Sequence, residues 1–509
     1  MCKKLHLKKK ILLWVVVFFA CFSAFAQTTP YNVVMNIYDD PTTKMAFNWF
    51  TGSGVTGGQV RVMRGGNIVK TVPAACTQYP GYTENKAVVT GLEPNTTYSF
   101  LVGKAGAWSS TGTFTTAKAN KEPFSFIYVT DTQVSGNDRM TLQTNSQAAF
   151  TKYPNANFWL HCGDLTHGDS VLSKHIGLMS EFFEKQQDYF YDYPFAPIQG
   201  NHDRPGNDAI FKSHFNLNST LFDTHGSTYT YIYGDAQFFA INSELNYNTA
   251  YINALYDWMR DSINAHSDIT WRIVYFHKNI YSSSYGVQRE TACRNWFNVM
   301  TPLFDSLNID IALQGHSHIY EVIGPVFDTT LVQGSVTNVK SVPKELPYKN
   351  VTGKSGGFFN VSEGTLYFTN GAFGNALTDF IPCPILPVSD GKFTDITHYA
   401  DLFTGRWGQI GKPTYSHVSV STESIVITTY EIDNGNSQLL DKITIVKECT
   451  DEVISGVTYD ENTTITSCRD IYIGNVTVTD NAKLTLGEGA SVIFTDDLDL
   501  DSGTELEIK

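Results

Sequence analysis

A chain of 509 residues is too long for one ordinary domain and points to roughly two to four. Its apolar content of 42%, with 13% aromatic residues, supplies a sizeable core and argues against disorder on a large scale. The formal charge of −14 becomes −19 when residues 1–26 and their five lysines are set aside, and such a surface repels nucleic acid and anionic membranes.

The first elements set the compartment. Lys3, Lys4 and Lys8 to Lys10 form a basic start, ILLWVVVFFACFSAFA (11–26) is an apolar run, and Ala24-Phe25-Ala26 fits a small-residue cleavage site. We expect a signal peptide over 1–26, with Gln27 first in the mature chain. The competing reading, a membrane anchor, is disfavoured because a run of about 16 residues is short for a bilayer. Cys21 as a lipid attachment site is opposed by Phe18 and Phe19 before it. The expected location is therefore periplasmic, cell-surface or secreted, with no stable membrane insertion after cleavage. Eight cysteines contain no C-x-x-C pair, which excludes zinc-finger and thioredoxin-like readings. Export permits disulfides, and Cys449 and Cys468 are a plausible pair. Cys162, following a strand, reads as a buried thiol.

Residues 27–118 carry short alternating strands, among them MAFNWF (45–50), QVRVMRG (59–65) and KAVVTGL (86–92), without helical periodicity. This predicts an antiparallel β-sandwich. GLEPNTTYSFLVG (91–103) has the form of a tyrosine corner built on Tyr98, and WSSTGTFTTA (108–117) supplies the last strand. The stretch resembles a fibronectin type III domain, for which a structural spacer is the preferred role over binding. AKANKEP (117–123) is the linker.

From 123 to 447 the pattern changes to apolar strands alternating with helical stretches. FSFIYVT (124–130), NFWLH (157–161), FAPIQ (195–199), IVYF (273–276) and IDIAL (309–313) are strands, and 139–153 and 172–190 are helical. The fold class expected is α+β, a layered α-β-β-α sandwich with a largely buried sheet. After 449 the chain repeats an apolar-x-apolar pair about every eight residues and carries 13 acids against three bases. That pattern predicts a small all-β tail, a solenoid or sandwich piece, whose acids are a solvated surface rather than a calcium site.

The chemistry sits where the strands of the middle region stop. Asp131 follows the first, Asp164 in HCGDLTHGD the second, Asn201, His202 and Asp203 in GNHD the third, His277 the fourth, and His316 and His318 in GHSH the fifth. One His or Asp after a strand is ordinarily a turn or a satisfied core group. Five successive strand ends carrying such residues gather a site, since open sheets bind ligands at their carboxyl edges. A mixed Asp/Asn/His set suits Zn, Fe or Mn. The residues exceed one ion's needs, so an Asp bridging two divalent or trivalent ions is expected, the usual device for in-line attack on phosphorus.

D-x-Q, GDxxH, GNHD, a lone strand-following His and GHxH, in this order, resemble the calcineurin-like metallophosphoesterase superfamily. With the preceding β-sandwich and the stretches TLYFTNGAFGN (365–375) and PTYSHVSVSTESIVITTYEID (413–433), residues 30–447 resemble bacterial relatives of the purple acid phosphatases. The resemblance implies that Asp164 bridges, that Asp131 and His318 hold the first metal, and that Asn201, His277 and His316 hold the second. His202 would be the acid that protonates the leaving alkoxide, with Asp203 orienting it. The chain departs from the pattern twice: Gln133 stands where the superfamily has His, and His167 where the purple enzymes have their tyrosine. His167 is the favoured replacement ligand on the first metal, with Gln133 nearby as an amide ligand or hydrogen-bond partner. Without tyrosinate no purple charge-transfer band is expected. His161 and Asp169 are assigned to support or surface.

Tyr281, Tyr285, His214 and Tyr320 neighbour the motifs, and packing is the preferred reading of each over substrate recognition. Glu321 is followed by Val322 where the purple family has Arg, so it lacks that support. The segment 340–400 is expected to shape the pocket. The implied function is an exported hydrolase of a small phosphorylated substrate, a monoester by preference, with a phosphodiesterase or nucleotidase as the alternative. The rival from another class, a secreted binding or adhesion protein with a vestigial site, is disfavoured by the near-complete ligand set.

Overall fold

The computed structural model describes residues 27–135, 139–204, 209–245, 248–282, 287, 290–328, 330–331, 357–374, 403–408, 411–447, 452–465, 470–486 and 492–508. The expected signal peptide, Tyr285, the Cys449–Cys468 pair and the greater part of 340–400 lie outside these residues. No helix among the described residues is long and apolar enough to cross a membrane.

Two sheets face each other across the middle region. In the first, Phe124–Val129 pairs in parallel with Phe158–His161, which pairs in parallel with Phe195–Pro197. Its other side is antiparallel: Thr414–Val420, Ser424–Asp433 and Asn436–Val446 follow outward. In the second, Ala236–Ala240, Trp271–Tyr275, Ile311–Gln314 and Thr365–Asn370 run parallel. Phe126, Phe158, Phe238, Ile273 and Leu313 fill the space between the sheets with almost no exposure. The helices Arg139–Lys152 and Leu172–Asp192 cover the outer face of the first sheet, where Phe150, Phe182 and Phe190 join its core. Thr249–Ala265 and Thr291–Leu307 cover the second through Leu255, Met259, Trp296 and Phe304. This is the α-β-β-α layering. It explains the near-continuous apolar strands, because strands buried on both faces have no polar side.

The N-terminal β-sandwich packs Trp49, Phe47, Phe100 and Phe114 between its sheets. Tyr98 closes the expected corner, its hydroxyl accepting from Glu93 N at 3.0 Å. The linker separates this sandwich in sequence but not in hydrogen bonding. Tyr31–Asn36 joins the edge strand Phe195–Pro197 at Asn36 and Phe195, so strands of both regions form one 11-stranded sheet. Asn216 backs the junction: its N–H donates to Asn36 Oδ1 at 2.9 Å and its side chain to the carbonyls of Phe47 and Ala87. A flexible spacer would leave such an edge open. Here the sandwich covers it, which also removes an exposed edge strand.

The tail is a solenoid. Glu452–Ser455, Ile471–Gly474 and Val492–Phe494 stack in parallel, and two further three-stranded stacks make the other faces. Register runs from Glu452 to Ile471 to Val492, so a coil takes about 20 residues, and the eight-residue repeat is one face of it. Ile471, Ile473, Val476, Leu484 and Leu486 fill its interior, a core separate from the others.

Candidate metal and active site

The strand ends of the middle region converge. Asp131, Asp164 and His318 bring one donor atom each within 4.8 Å of one another, and so do Asp164, His277 and His316. Asp164 belongs to both groups. The two carboxylates and His277 are fully buried.

Backbone shape makes this convergence. Asp131, Gln133, Asp164, His316 and His318 all adopt positive φ, between 43° and 70°. Non-glycine residues in that region cost of order 1–3 kcal/mol each, and such strain gathers at functional sites. Glycines make the close approach. A Cβ on Gly200 would stand 2.2 Å from Asp164 Oδ1, and one on Gly315 would stand 2.3 Å from Thr130 Oγ1 and 3.0 Å from His277 Nδ1.

The carboxylates are held ionised. Burial alone would raise the Asp131 pKa, but His318 Nε2 at 3.1 Å from Oδ1, with His277 behind it, holds it below the usual range. Burial works the same way on Asp164, and His277 Nε2 at 3.2 Å from Oδ2, with His202 and His316, holds it well below. The partner effect is reciprocal: burial would lower His277, and the Asp164 charge pushes it up to about 10. Asp131 Oδ2 accepts from Thr130 Oγ1 at 2.7 Å and His316 N at 2.9 Å. Two buried carboxylates sharing a cluster of imidazoles call for cations, and their oxygens and nitrogens are the donors that Zn, Fe or Mn accept. His277 Nδ1 faces Cys162 O at 2.8 Å, which leaves Nε2 toward Asp164 and toward Asn201 Oδ1 at 3.0 Å. An imidazole fixed at one nitrogen and aimed with the other is the arrangement of a metal ligand.

The remaining predicted residues fall into place less uniformly. The Gln133 amide lies 2.9 Å from Asp164 Oδ2, and its oxygen and nitrogen are interchangeable by rotation. His167 stands in neither triad. Its ring lies against that of His202, centroids 5.0 Å apart, and its carbonyl oxygen faces His202 Nδ1 at 2.8 Å. His202 Nε2 is thereby turned toward the site, 4.0 Å from Asp164 Oδ2. Asp203 differs from expectation. Instead of reaching the His202 ring, it accepts from the backbone N–H of Asp164, Leu165, Thr166 and Gly200 at 2.9–3.2 Å. Burial and the neighbouring Asp164 charge push Asp203 up, opposed by the N–H donors. It clamps the GD turn, and the carbonyl of His167 takes the expected role at His202.

His161 is fully buried and bonds Thr132 Oγ1 through Nε2, and burial holds its pKa down at about 3. Asp169 accepts from Val171 N at 2.7 Å beside the helix start. Tyr281 packs edge-on against Tyr367, the Tyr320 hydroxyl donates to Asp441 at 2.7 Å, and His214 packs against Phe50, so none of the three faces the ligand cluster. Buried Glu321 accepts from Ser317 Oγ at 3.3 Å, behind the GHSH turn. Cys162 is a buried free thiol. Sequence reasoning missed Glu290, whose Oε2 lies 3.0 Å from His316 Nε2. No motif marks it.

Comparison with known proteins agrees with this geometry. Residues 124–320 match the family model described as calcineurin-like phosphoesterase, and residues 30–116 match the purple acid phosphatase N-terminal domain. Acid phosphatase type 7 of Danio rerio is 23% identical over 53% of the chain and 64% of its own length. The Mus musculus protein of the same name is 20% identical over 52% and 62%. The matched part of the chain thus spans less than two thirds of these relatives. A purple acid phosphatase from yellow lupin (Lupinus luteus) seeds superposes with a TM-score of 0.62 over 82% of this chain and 74% of that one, and at 16% identity the likeness is one of fold. The chain therefore carries a calcineurin-like phosphoesterase domain over residues 124–320, preceded by a purple acid phosphatase N-terminal domain over residues 30–116.

Proposed function

We propose that this protein is an exported, dinuclear-metal-dependent hydrolase of phosphoric esters, with small phosphomonoesters as its substrates. The observation that carries the reading is Asp164, one buried carboxylate shared by two ligand groups. Asp131, Asp164 and His318, with the Gln133 amide, would hold the first ion. Asp164, Asn201, His277 and His316 would hold the second. When bound, two such ions supply hydroxide at neutral pH and neutralise charge on phosphate oxygens.

The chain's own residues do the rest. Asp131 and Asp164 hold the charge that makes the site a cation trap, and the positive-φ turns fix their oxygens before substrate arrives. His202 keeps Nδ1 on the His167 carbonyl, which presents Nε2 as the proton carrier toward the phosphate. A protonated Nε2 donates to the leaving alkoxide. Asp203 preserves the position of Asp164 through the backbone. The reading of export rests on the basic start, apolar run and cleavage site within 1–26.

Elemental analysis of the purified mature protein, with hydrolysis of p-nitrophenyl phosphate and bis-p-nitrophenyl phosphate, tests the reading. The expected result is two ions per chain, turnover abolished by chelator and the monoester as the better substrate. A better diester moves the assignment to a phosphodiesterase. An ion-free chain without turnover after reconstitution overturns it.

A further inference from the structure

Three potential ligand atoms meet at the rim of the site, two of them on residues the reaction does not use. Glu290, just before the helix Thr291–Leu307, sets Oε2 3.0 Å from His316 Nε2. Cys293, within the first turn of that helix, sets Sγ 3.7 Å from the same oxygen. One donor atom from each of the three residues lies within 4.8 Å of the other two. Tetrahedral ligands at zinc distances, about 2.0–2.1 Å for N and O and 2.3 Å for S, stand roughly 3.3–3.6 Å apart. The observed separations bracket that range, so small side-chain shifts bring the set to bonding geometry.

The chemistry of the set is distinct from that of the paired ions. A thiolate with an imidazole and a carboxylate suits zinc and similar borderline-soft cations, and disfavours magnesium and calcium. A cysteine packed only as a small hydrophobe would face apolar neighbours, whereas Cys293 faces a carboxylate. Cys293 is buried, while the Glu290 side chain is 43% exposed and gives solvent a route to the cluster. Burial and the Glu290 charge push the free thiol up, and coordination would release its proton to solvent as the sulfur–metal bond forms; the His316 ring would give up its remaining N–H proton as well, so that each of its nitrogens can face one cation.

We propose that Glu290, Cys293 and His316 form a third cation site, selective for zinc-like ions and completed by water, whose occupancy is coupled to the two-ion site through His316. The coupling rests on the two-ion reading given above; the third site itself does not. Excess zinc then acts at the rim as a regulator of turnover.

The test is titration of the protein carrying its two ions with cobalt(II) and with zinc. A third equivalent is expected, with a thiolate-to-cobalt charge-transfer band in the near ultraviolet. Cys293→Ser should lose the band and the third equivalent and keep two ions, and Glu290→Gln, at an exposed position, should weaken the third equivalent at least ~10-fold. Inhibition by excess zinc should weaken in parallel. Saturation at two equivalents with no thiolate band, or a band that survives in Cys293→Ser, overturns the third site. A protein that binds no pair of ions but still shows the Cys293-dependent band sinks the two-ion reading and leaves the rim site standing.

Discussion

His202 Nδ1 lies 2.8 Å from the carbonyl oxygen of His167, and the two rings stack with centroids 5.0 Å apart. A backbone carbonyl, not a carboxylate, therefore aims His202. Replacing His202 with Ala should lower kcat at least ~10²-fold with metal content retained, the scale of a lost general acid. Asp164→Ala should lower it by at least as much and lose ions as well. A His202 variant with near-normal turnover of p-nitrophenyl phosphate would remove it from the mechanism.

His167→Ala leaves its own carbonyl in place, so it should cost less than ~10-fold in kcat and leave both ions bound. Gln133→Ala acts on the other side, where the amide meets Asp164, and should weaken the first ion by ~10–100-fold. Competition with a chelator, read by metal content, separates the two. Loss of an ion in His167→Ala and not in Gln133→Ala would make His167 the ligand after all.

Asp203 gathers four backbone N–H groups around the turn that carries Asp164. Asn in its place offers one acceptor oxygen and turns an NH₂ against the remaining donors. We expect Asp203→Asn to cost about 2–4 kcal/mol in urea unfolding, as for a buried acceptor whose donors are left mismatched. Weakened metal binding should accompany it, since the turn it holds carries Asp164. A variant as stable as wild type would show that the clamp is dispensable.

The strand-end residues were readable because each buried strand is an unbroken apolar run that stops abruptly at polar residues: FWL before HCGD, and IAL before QGHSH. The solenoid was readable for a related reason, since the period of its apolar pairs marks one face. Other relationships carry no local signal. Glu290 meets His316 only because a helix start is folded onto the GHSH turn, 26 residues away in sequence. The join at Asn36 and Phe195 depends on a one-residue register between regions far apart in the chain. Asp203 sits beside His202 in sequence, which suggested the wrong partner; the 3-10 turn Asn201–Asp203 sends successive side chains in different directions.

His214 lies where the sandwich meets the catalytic region, its ring edge-on to Phe50 at 4.6 Å and 5.6 Å from Phe183. Nδ1 bonds Ile210 O at 2.7 Å, and Nε2 is buried without a hydrogen-bond partner among the described residues. Burial holds its pKa down at about 4, against about 6.5 in the unfolded chain. The folded pKa is depressed, so the unfolded chain binds the proton more readily. The stability that neutral His214 permits is complete above about pH 6.5 and falls as the pH drops through 4. The loss over that window is about 3 kcal/mol. His214→Leu, which fills similar space without titrating, should flatten the decline between pH 6.5 and 4. Urea unfolding of both proteins across this range measures the difference. Parallel stability curves would show that the His214 proton does not limit the acid stability of the junction.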